Sequence, residues 1–468
     1  MTGKRTSLII PVESQVRELD PKLLLACVAA ERGFTVFLGS KTEVGLRIAS
    51  FPRSVYLGKS MTARSIKMFG TLKNLGHDII VWDEEALVHH SKEQYYGRRL
   101  DPRTLEKVSA LLAWGQENYE LFKEYPAYSN TPIYITGNPR GDMMRPEVLP
   151  FYEPEAESIH KRFGEFILIN TNFSMVNGFL PSLNLRNPGA KPDAPAQAGA
   201  AARGLTPEFA EGWANHKQAI FEHFKRLIPS LSKAFPDHTI VIRPHPVENH
   251  DVWYQLAEPY NNVKVIYQGN VLAWLKAAKA VIHNGCTTGI EAFIVKLPAI
   301  AYRPVTAKIY DLDLPNSLSY ECFDFKELCQ TLERILSRKL GPPDTIERRQ
   351  LIDYYISALD GPLACDRIID VIEQHEAGLS GLSWPGLRSY LRGWIKANIR
   401  SYKKRYIKSK LSGHRNNPDY LSQRFPGVSV DEVRSRINRF FRILDRFKDV
   451  KANQLSKNIF QIHNPSPR

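Results

Sequence analysis

Short aliphatic runs rich in β-branched residues recur along this chain, each ended by a turn and followed by residues at helical spacing. Leu8-Ile-Ile-Pro-Val12 leads to a helical stretch from Pro21 to Arg32, and Gly33 stops that helix before Phe34-Thr-Val-Phe-Leu-Gly39. A helix near Arg64 to Leu75, stopped by Gly76, then delivers His77-Asp-Ile-Ile-Val-Trp82. Further strand-like runs start at Ala110, Pro132, Phe166, Thr239, Val263, Ala280 and Ala299. Strands alternating with helices close a core as a parallel sheet covered on both faces, so the expected class is α/β with two doubly wound Rossmann-like domains.

The spacing divides the chain into residues 1–150, 151–380 and 381–468. A Pro-, Ala- and Gly-rich stretch at 188–206 reads as a mobile insertion in the second domain. Helices over Phe325–Arg338, Thr345–Leu359 and Ala364–Glu376 close the body, and the last of them is placed to cross back onto the first sheet.

Two strand ends carry the densest chemistry. Thr239-Ile-Val-Ile242 runs into Arg243-Pro-His245-Pro246, and proline on both sides of the histidine forbids the strand to continue. Ala280-Val-Ile-His283 runs into Asn284-Gly-Cys-Thr287-Thr288-Gly289 and then into the helix opened by Ile290-Glu291. In open parallel sheets ligands bind beyond the carboxyl ends of strands, and a helix N-terminus offers N–H groups to an anion. Arg243, His245, Asn284, Thr287, Thr288 and Glu291, with Asn172 at the end of the Phe166 strand, are therefore candidates for a phosphate-bearing ligand. Thr287 or Thr288 is also suited to cap that helix, with Glu291 completing a capping box. In the first half, Asp83-Glu84-Glu85 ends a strand and offers carboxylates for base catalysis or for a positive sugar centre. Asn138 and Arg140, in Gly137-Asn-Pro-Arg-Gly-Asp142, form a turn directed to the same interdomain cleft.

Charge is concentrated at one end. Of 63 Lys+Arg and 49 Asp+Glu, residues 381–468 hold 20 and 5. From Trp384 on, Leu387, Leu391, Trp394, Ile395, Tyr402 and Tyr406 recur at helical spacing among Lys403, Lys404, Arg405, Lys408 and Lys410. A basic amphipathic helix of this kind suits an anionic membrane surface, and no nucleic-acid-reading motif accompanies it. The five cysteines (Cys27, Cys286, Cys322, Cys329, Cys365) show no metal-ligand spacing, and an odd number fits a reducing compartment. No metal and no resident cofactor is expected.

The Arg-Pro-His-Pro turn, the Asn284-to-Ala292 turn and the Gly137–Asp142 segment together resemble bacterial surface-carbohydrate biosynthesis proteins. The wider likeness is to GT-B glycosyltransferases of capsule and lipopolysaccharide synthesis, among them the capsule-type Kdo and sialic acid transferases. The resemblance spans roughly residues 5–375 and excludes the basic tail. It implies two domains facing a cleft and a nucleotide-sugar donor, often CMP-linked, whose phosphate is held by His245, Thr287 and Thr288. It further implies an acidic catalytic residue among Asp83, Glu84 and Glu85, with no metal. The acceptor would be a surface polysaccharide or a lipid-linked glycan at the inner face of the cell membrane. A UDP-N-acetylhexosamine 2-epimerase, a glycerol-phosphate transferase and a non-catalytic sugar-nucleotide-binding scaffold are the alternatives.

Overall fold

The computed structural model describes residues 7–187, 197–379, 384–411 and 416–465. They form two compact units, one of Met1–Leu87, Arg99–Phe151 and Asp353–Arg468, the other of Val88–Arg98 and Tyr152–Ile352.

In the first unit β1 (Ser7–Val12), β2 (Val36–Ser40), β3 (Ser54–Gly58), β4 (Asp78–Trp82), β5 (Ala110–Ala113) and β6 (Ile133–Ile135) pair in parallel in the order β2-β1-β3-β4-β5-β6. Leu8, Ile9 and Ile10 are fully buried, as an unbroken apolar run must be when helices cover both faces of a sheet. The chain leaves β1 for β2 on one side and returns to β3 on the other, so the winding direction reverses beside β1. Helix Gln15–Glu31 begins six residues before Pro21, the position where the sequence suggested a start.

The second unit carries β7 (Phe166–Asn170), a small pair β8 (Arg186–Asn187) and β9 (Gln197–Ala198), then β10 (Thr239–Arg243), β11 (Val263–Val265), β12 (Ala280–His283), β13 (Ala299–Tyr302) and β14 (Tyr320–Cys322). Its main sheet is parallel in the order β11-β10-β7-β12-β13-β14. Phe173, Phe221, Phe224 and Trp253 pack against Ile167, Ile169, Ile240 and Ile242 on one face. The chain steps outward from β7 through β10 and β11 and comes back to the far side of β7 as β12, which puts the switch point between β7 and β12. Both units are thus doubly wound, as expected.

The borders differ from the sequence-based ones, for local reasons. Ala364 and Cys365 N–H groups donate to the Asp142 carboxylate at 2.7 and 2.8 Å, tying helix Ala364–Leu379 to the first unit. In the other direction, His90 stands edge-on to Trp213 at 4.8 Å, which places Val88–Arg98 in the second unit. Of the insertion expected to be mobile at 188–206, residues 188–196 lie outside the described residues. Its remainder is seated: β9 pairs with β8, and Ala202 joins Leu185, Ala210 and Trp213 in a small apolar cluster.

The basic tail contains more than helix. Helix Leu387–Tyr402 lays Gly393 and Ala397 against the first unit, and helix Val430–Leu444 stacks Phe440 on Phe151 at 4.3 Å. The chain then forms a hairpin of β15 (Lys451–Ser456) and β16 (Ile459–His463), and β16 pairs antiparallel with β2. A Cβ on Gly39 would lie 2.5 Å from the Asn458 carbonyl, so the glycine is what lets the hairpin close on that edge.

Candidate functional site

The site in the second unit is built at the carboxyl ends of β10, β7 and β12, where Arg243, Asn170 and His283 stand in register across three neighbouring strands. The loops leaving these strands are knitted by side-chain amides. Asn284 accepts from the Asn172 N–H at 3.0 Å and returns an Nδ2 bond to the Asn172 carbonyl at 3.2 Å. Asn170 Nδ2 donates to Thr288 Oγ1 at 3.0 Å, and its buried Oδ1 has no partner among the described residues.

Helix Thr287–Ile294 starts from this knot. Cys286 occupies the cap position with extended backbone and makes no side-chain cap bond. The capping role expected of Thr287 or Thr288 is therefore corrected: Thr288 faces Asn170, and Glu291 lies too far along the helix to close a capping box. Gly285, at φ +71°, makes the turn that a side chain resists. Gly289 admits His283, because a Cβ there would sit 2.6 Å from the ring Nε2. His283 is fully buried, accepts from the Gly285 N–H at 3.1 Å through Nδ1, and faces Ser319 Oγ at 2.8 Å through Nε2. Burial pushes its pKa down to about 3, so it works as a neutral strut.

Arg243 does not have the role the sequence suggested. Its guanidinium donates to the Gln268 and Gly269 carbonyls at 2.7 and 3.0 Å and lies over Trp274 at 4.9 Å. Burial lowers its pKa to about 9. It clamps the turn after β11, because a bidentate fork held by two carbonyls has little left for a ligand. His245 stays on the half-buried rim, and its turn is fixed by a residue that the sequence reading missed. Glu248, fully buried, accepts from Thr171 Oγ1 at 3.0 Å, the Phe173 N–H at 2.8 Å, Trp253 Nε1 at 3.0 Å and the His245 N–H at 3.3 Å. Its position three residues after His245 was the available signal.

Lys217 was also missed. It projects from helix Pro207–Ala234, is 9% exposed, and makes no hydrogen bond or ion pair among the described residues. Burial lowers its pKa, and Cys286 and Asp311 lie close enough to counter that in part. Nothing in the local sequence distinguishes it from other polar positions of a long helix. It places a cation beside the start of helix Thr287–Ile294 that Arg243 does not supply.

In the first unit the acidic run resolves into three different environments. Asp83 is fully buried and held in a bidentate pair by Arg99, with Nε at 2.8 Å. Glu84 is buried, accepts from Trp82 Nε1 at 2.8 Å and stands 3.7 Å from Lys22 Nζ. Neither is an accessible base, and both are corrected to structural ion-pair partners. Glu85 reaches the surface with a side chain 40% exposed, paired to Arg17 at 3.0 Å. Burial raises its pKa, but Arg17 and Arg99 outweigh that and hold it at about 2.

Asn138 and Arg140 are likewise buried. Asn138 caps the short helix Pro139–Asp142 by accepting from the Arg140 N–H at 3.0 Å, and the Arg140 guanidinium lies over Trp114 at 5.5 Å. The same segment receives the returning C-terminal chain: Arg145 donates to the Ala358 and Gly361 carbonyls, and Gly137 leaves room for Ser357. The turn is a socket for helix Ala364–Leu379, which corrects its assignment to a ligand.

No family model matches the chain, and no curated protein does. Solved structures do. The wall teichoic acid polymerase TagF, in a structure with CDPG, is 11% identical over 70% of this chain and 73% of that one, with a TM-score of 0.44. A UDP-GlcNAc 2-epimerase from Methanocaldococcus jannaschii, in complex with UDP-GlcNAc and UDP, is 12% identical over 79% of this chain and 99% of its own, with a TM-score of 0.47. S. aureus MnaA with UDP is 11% identical, covers 81% and 99%, and has a TM-score of 0.46. Similarity at this level carries no argument about activity, and the α/β class rests on the two sheets themselves.

Proposed function

We propose that the chain is a GT-B-type glycosyltransferase that moves a sugar from a nucleotide-sugar donor to a surface-polysaccharide or lipid-linked acceptor. The observation that carries the reading is the switch point of the second unit, where Lys217, Asn170, Asn172, Asn284 and the first turn of helix Thr287–Ile294 gather at neighbouring strand ends. In the proposed reaction an acceptor hydroxyl oxygen attacks the anomeric carbon and its proton passes to solvent. The bond from that carbon to the donor phosphate breaks, and the electron pair leaves with the nucleotide. Lys217, the Thr288 turn and the rim residue His245 offset the charge that builds on the phosphate, so neither a metal nor a resident cofactor is called for. Glu85 is the member of the acidic run that keeps an ionised carboxylate at the surface of the first unit.

We infer that the acceptor lies at the inner face of the cell membrane, a reading that the exposed face of the tail supports. Of eighteen exposed large apolar or aromatic side chains among the described residues, ten lie between Trp384 and Leu411. Leu387, Leu391, Trp394, Ile395, Ile399 and Tyr402 share one face of a helix whose other face is docked through Gly393 and Ala397. Basic residues flank that stripe, the composition of an interfacial helix. No helix among the described residues is long and apolar enough to cross a membrane.

The test is a thermal-shift panel of CMP, CDP, UDP and GDP with the intact protein and with Lys217→Met. One nucleotide should raise the midpoint, and the variant should lose most of that rise, because a free-ligand excess of about a hundredfold over Kd is worth about 2.7 kcal/mol. A CMP response supports a keto-acid sugar donor. Response to UDP accompanied by interconversion of a UDP-sugar at C2 would favour the epimerase instead, and no response to any nucleotide would remove the transferase reading.

A further inference from the structure

The switch point of the first unit lies beside β1, and the strand ends around it are crowded with charge. Glu13, just past β1, receives Lys41 at 2.9 Å, Lys59 at 3.0 Å and Arg424 at 2.7 Å. Glu18 receives Lys22 at 2.8 Å and also Lys59. These carboxylates are already shared among several cations. Two more cations come from the basic tail and reach none of them.

Arg400, at the end of helix Leu387–Tyr402, is half-buried and touches the Met68 sulfur, with Tyr56 nearby. Lys404 follows four residues later, where the helix widens into a π turn over Lys403–Ile407, an irregularity frequent at functional sites. It too is half-buried, and its Nζ lies near Gly45, on the short helix that begins at the end of β2. It makes no hydrogen bond or ion pair among the described residues. The charged groups that act on it are Arg400, Lys41 and Lys408, all positive, and burial together with them lowers its pKa to about 7. A withdrawn cation among cations is costly unless an anion completes the cluster.

We infer that Lys404 and Arg400, with Lys41 behind them, form a phosphate-binding site at the carboxyl ends of β1 and β2. A phosphate group near neutral pH carries the charge that Lys404 and Arg400 lack, and these two cations, beside a Lys41 shared with Glu13, suit its tetrahedral oxygens better than a planar carboxylate. The position is also the one that an open parallel sheet gives to its ligand. Because the same helix presents its apolar stripe on its other side, the site suits the phosphate of an amphipathic acceptor, an assignment that rests on the membrane-surface reading above. The phosphate chemistry itself does not depend on it.

The experiment uses the full chain and Lys404→Met, with inorganic phosphate and a short-chain phosphatidic acid below its micellar concentration as separate probes. Binding is read by thermal shift, and the Lys404 ammonium by NMR after reductive 13C-methylation. Lys404 should titrate below the ordinary lysine range in the free protein and move upward when either probe binds. Lys404→Met should raise the unliganded midpoint, weaken probe binding by about tenfold or more, and leave the nucleotide response of the second unit unchanged. Stronger binding of phosphatidic acid at equal phosphate assigns the site to a lipid. Equal binding assigns it to a free phosphate group, and either result supports the site. Phosphate binding by a protein that ignores anionic vesicles would keep the site and remove the membrane reading. An ordinary Lys404 titration untouched by both probes, or a Lys404→Met protein that binds them as the wild type does, would overturn the inference.

Discussion

His283 shows how a histidine at a strand end becomes a strut. It sits at the end of β12, one position before the Asn284 turn, yet both ring nitrogens are occupied and the ring is fully buried. Its folded pKa, about 3, lies below the ordinary 6.5. The unfolded chain therefore takes up a proton first as pH falls. Its stabilising contribution is complete above pH 6.5 and is lost progressively as pH drops towards 3. Over that window the loss approaches about 1.4 kcal/mol per pH unit. His77 and His90 are depressed in the same direction by burial, so the wild-type slope is shared. Denaturant melts from pH 7 to pH 4 should show a shallower acid slope in His283→Gln than in the wild type. Parallel slopes would mean that the histidine titrates normally. Arg243 teaches the same lesson: the residue type suited a phosphate, and two carbonyls of the neighbouring turn claimed it first.

Among elements, the C-terminal hairpin changes what the tail can be. Charge and spacing allowed residues 384–468 to be read as a separable basic appendage, but β16 completes an edge of the first sheet. Arg436 pairs with Asp20 on helix Gln15–Glu31, and Arg446 bridges Glu31 and Asp366 at 2.7 and 2.9 Å. Removal of β15 and β16 would bare the polar edge of β2 and take away Phe460 and Ile462 of β16, which are fully buried. Truncation after Leu444 should therefore lower the unfolding midpoint of the first unit by several degrees or give an aggregating protein, checked by differential scanning calorimetry. A truncated chain that melts as the full one does would restore the appendage reading. The hairpin is hard to read from the chain because four of the six residues of Lys451–Ser456 are polar, and only pairing with β16 makes it a strand.

At the scale of the molecule, two sheets of near-balanced charge are joined to a basic tail whose exposed stripe carries the membrane proposal. Leu391→Asp alters that stripe at a side chain 47% exposed, away from Gly393 and Ala397, so the fold should hold. Sedimentation with anionic vesicles should fall by about tenfold, since placing a charge in the interfacial face removes apolar burial and adds repulsion. Wild-type binding should also weaken as salt rises. Unchanged vesicle binding in Leu391→Asp would move the contact elsewhere. The class of the fold was readable from the chain because strand runs and helical spacing are local and repeat many times. The neighbourhood of Asn172, Asn284 and Thr288 was readable too, since the ends of adjacent parallel strands converge whatever their side chains. Partnership was not: the fate of Asp83, Arg140 and Arg243 depended on Arg99, Trp114 and the Gln268 turn, sixteen or more residues away. Lys217 and Lys404 gained their meaning only when folding withdrew each from water without supplying an ion-pair partner among the described residues, a property of three-dimensional burial that no run of letters encodes.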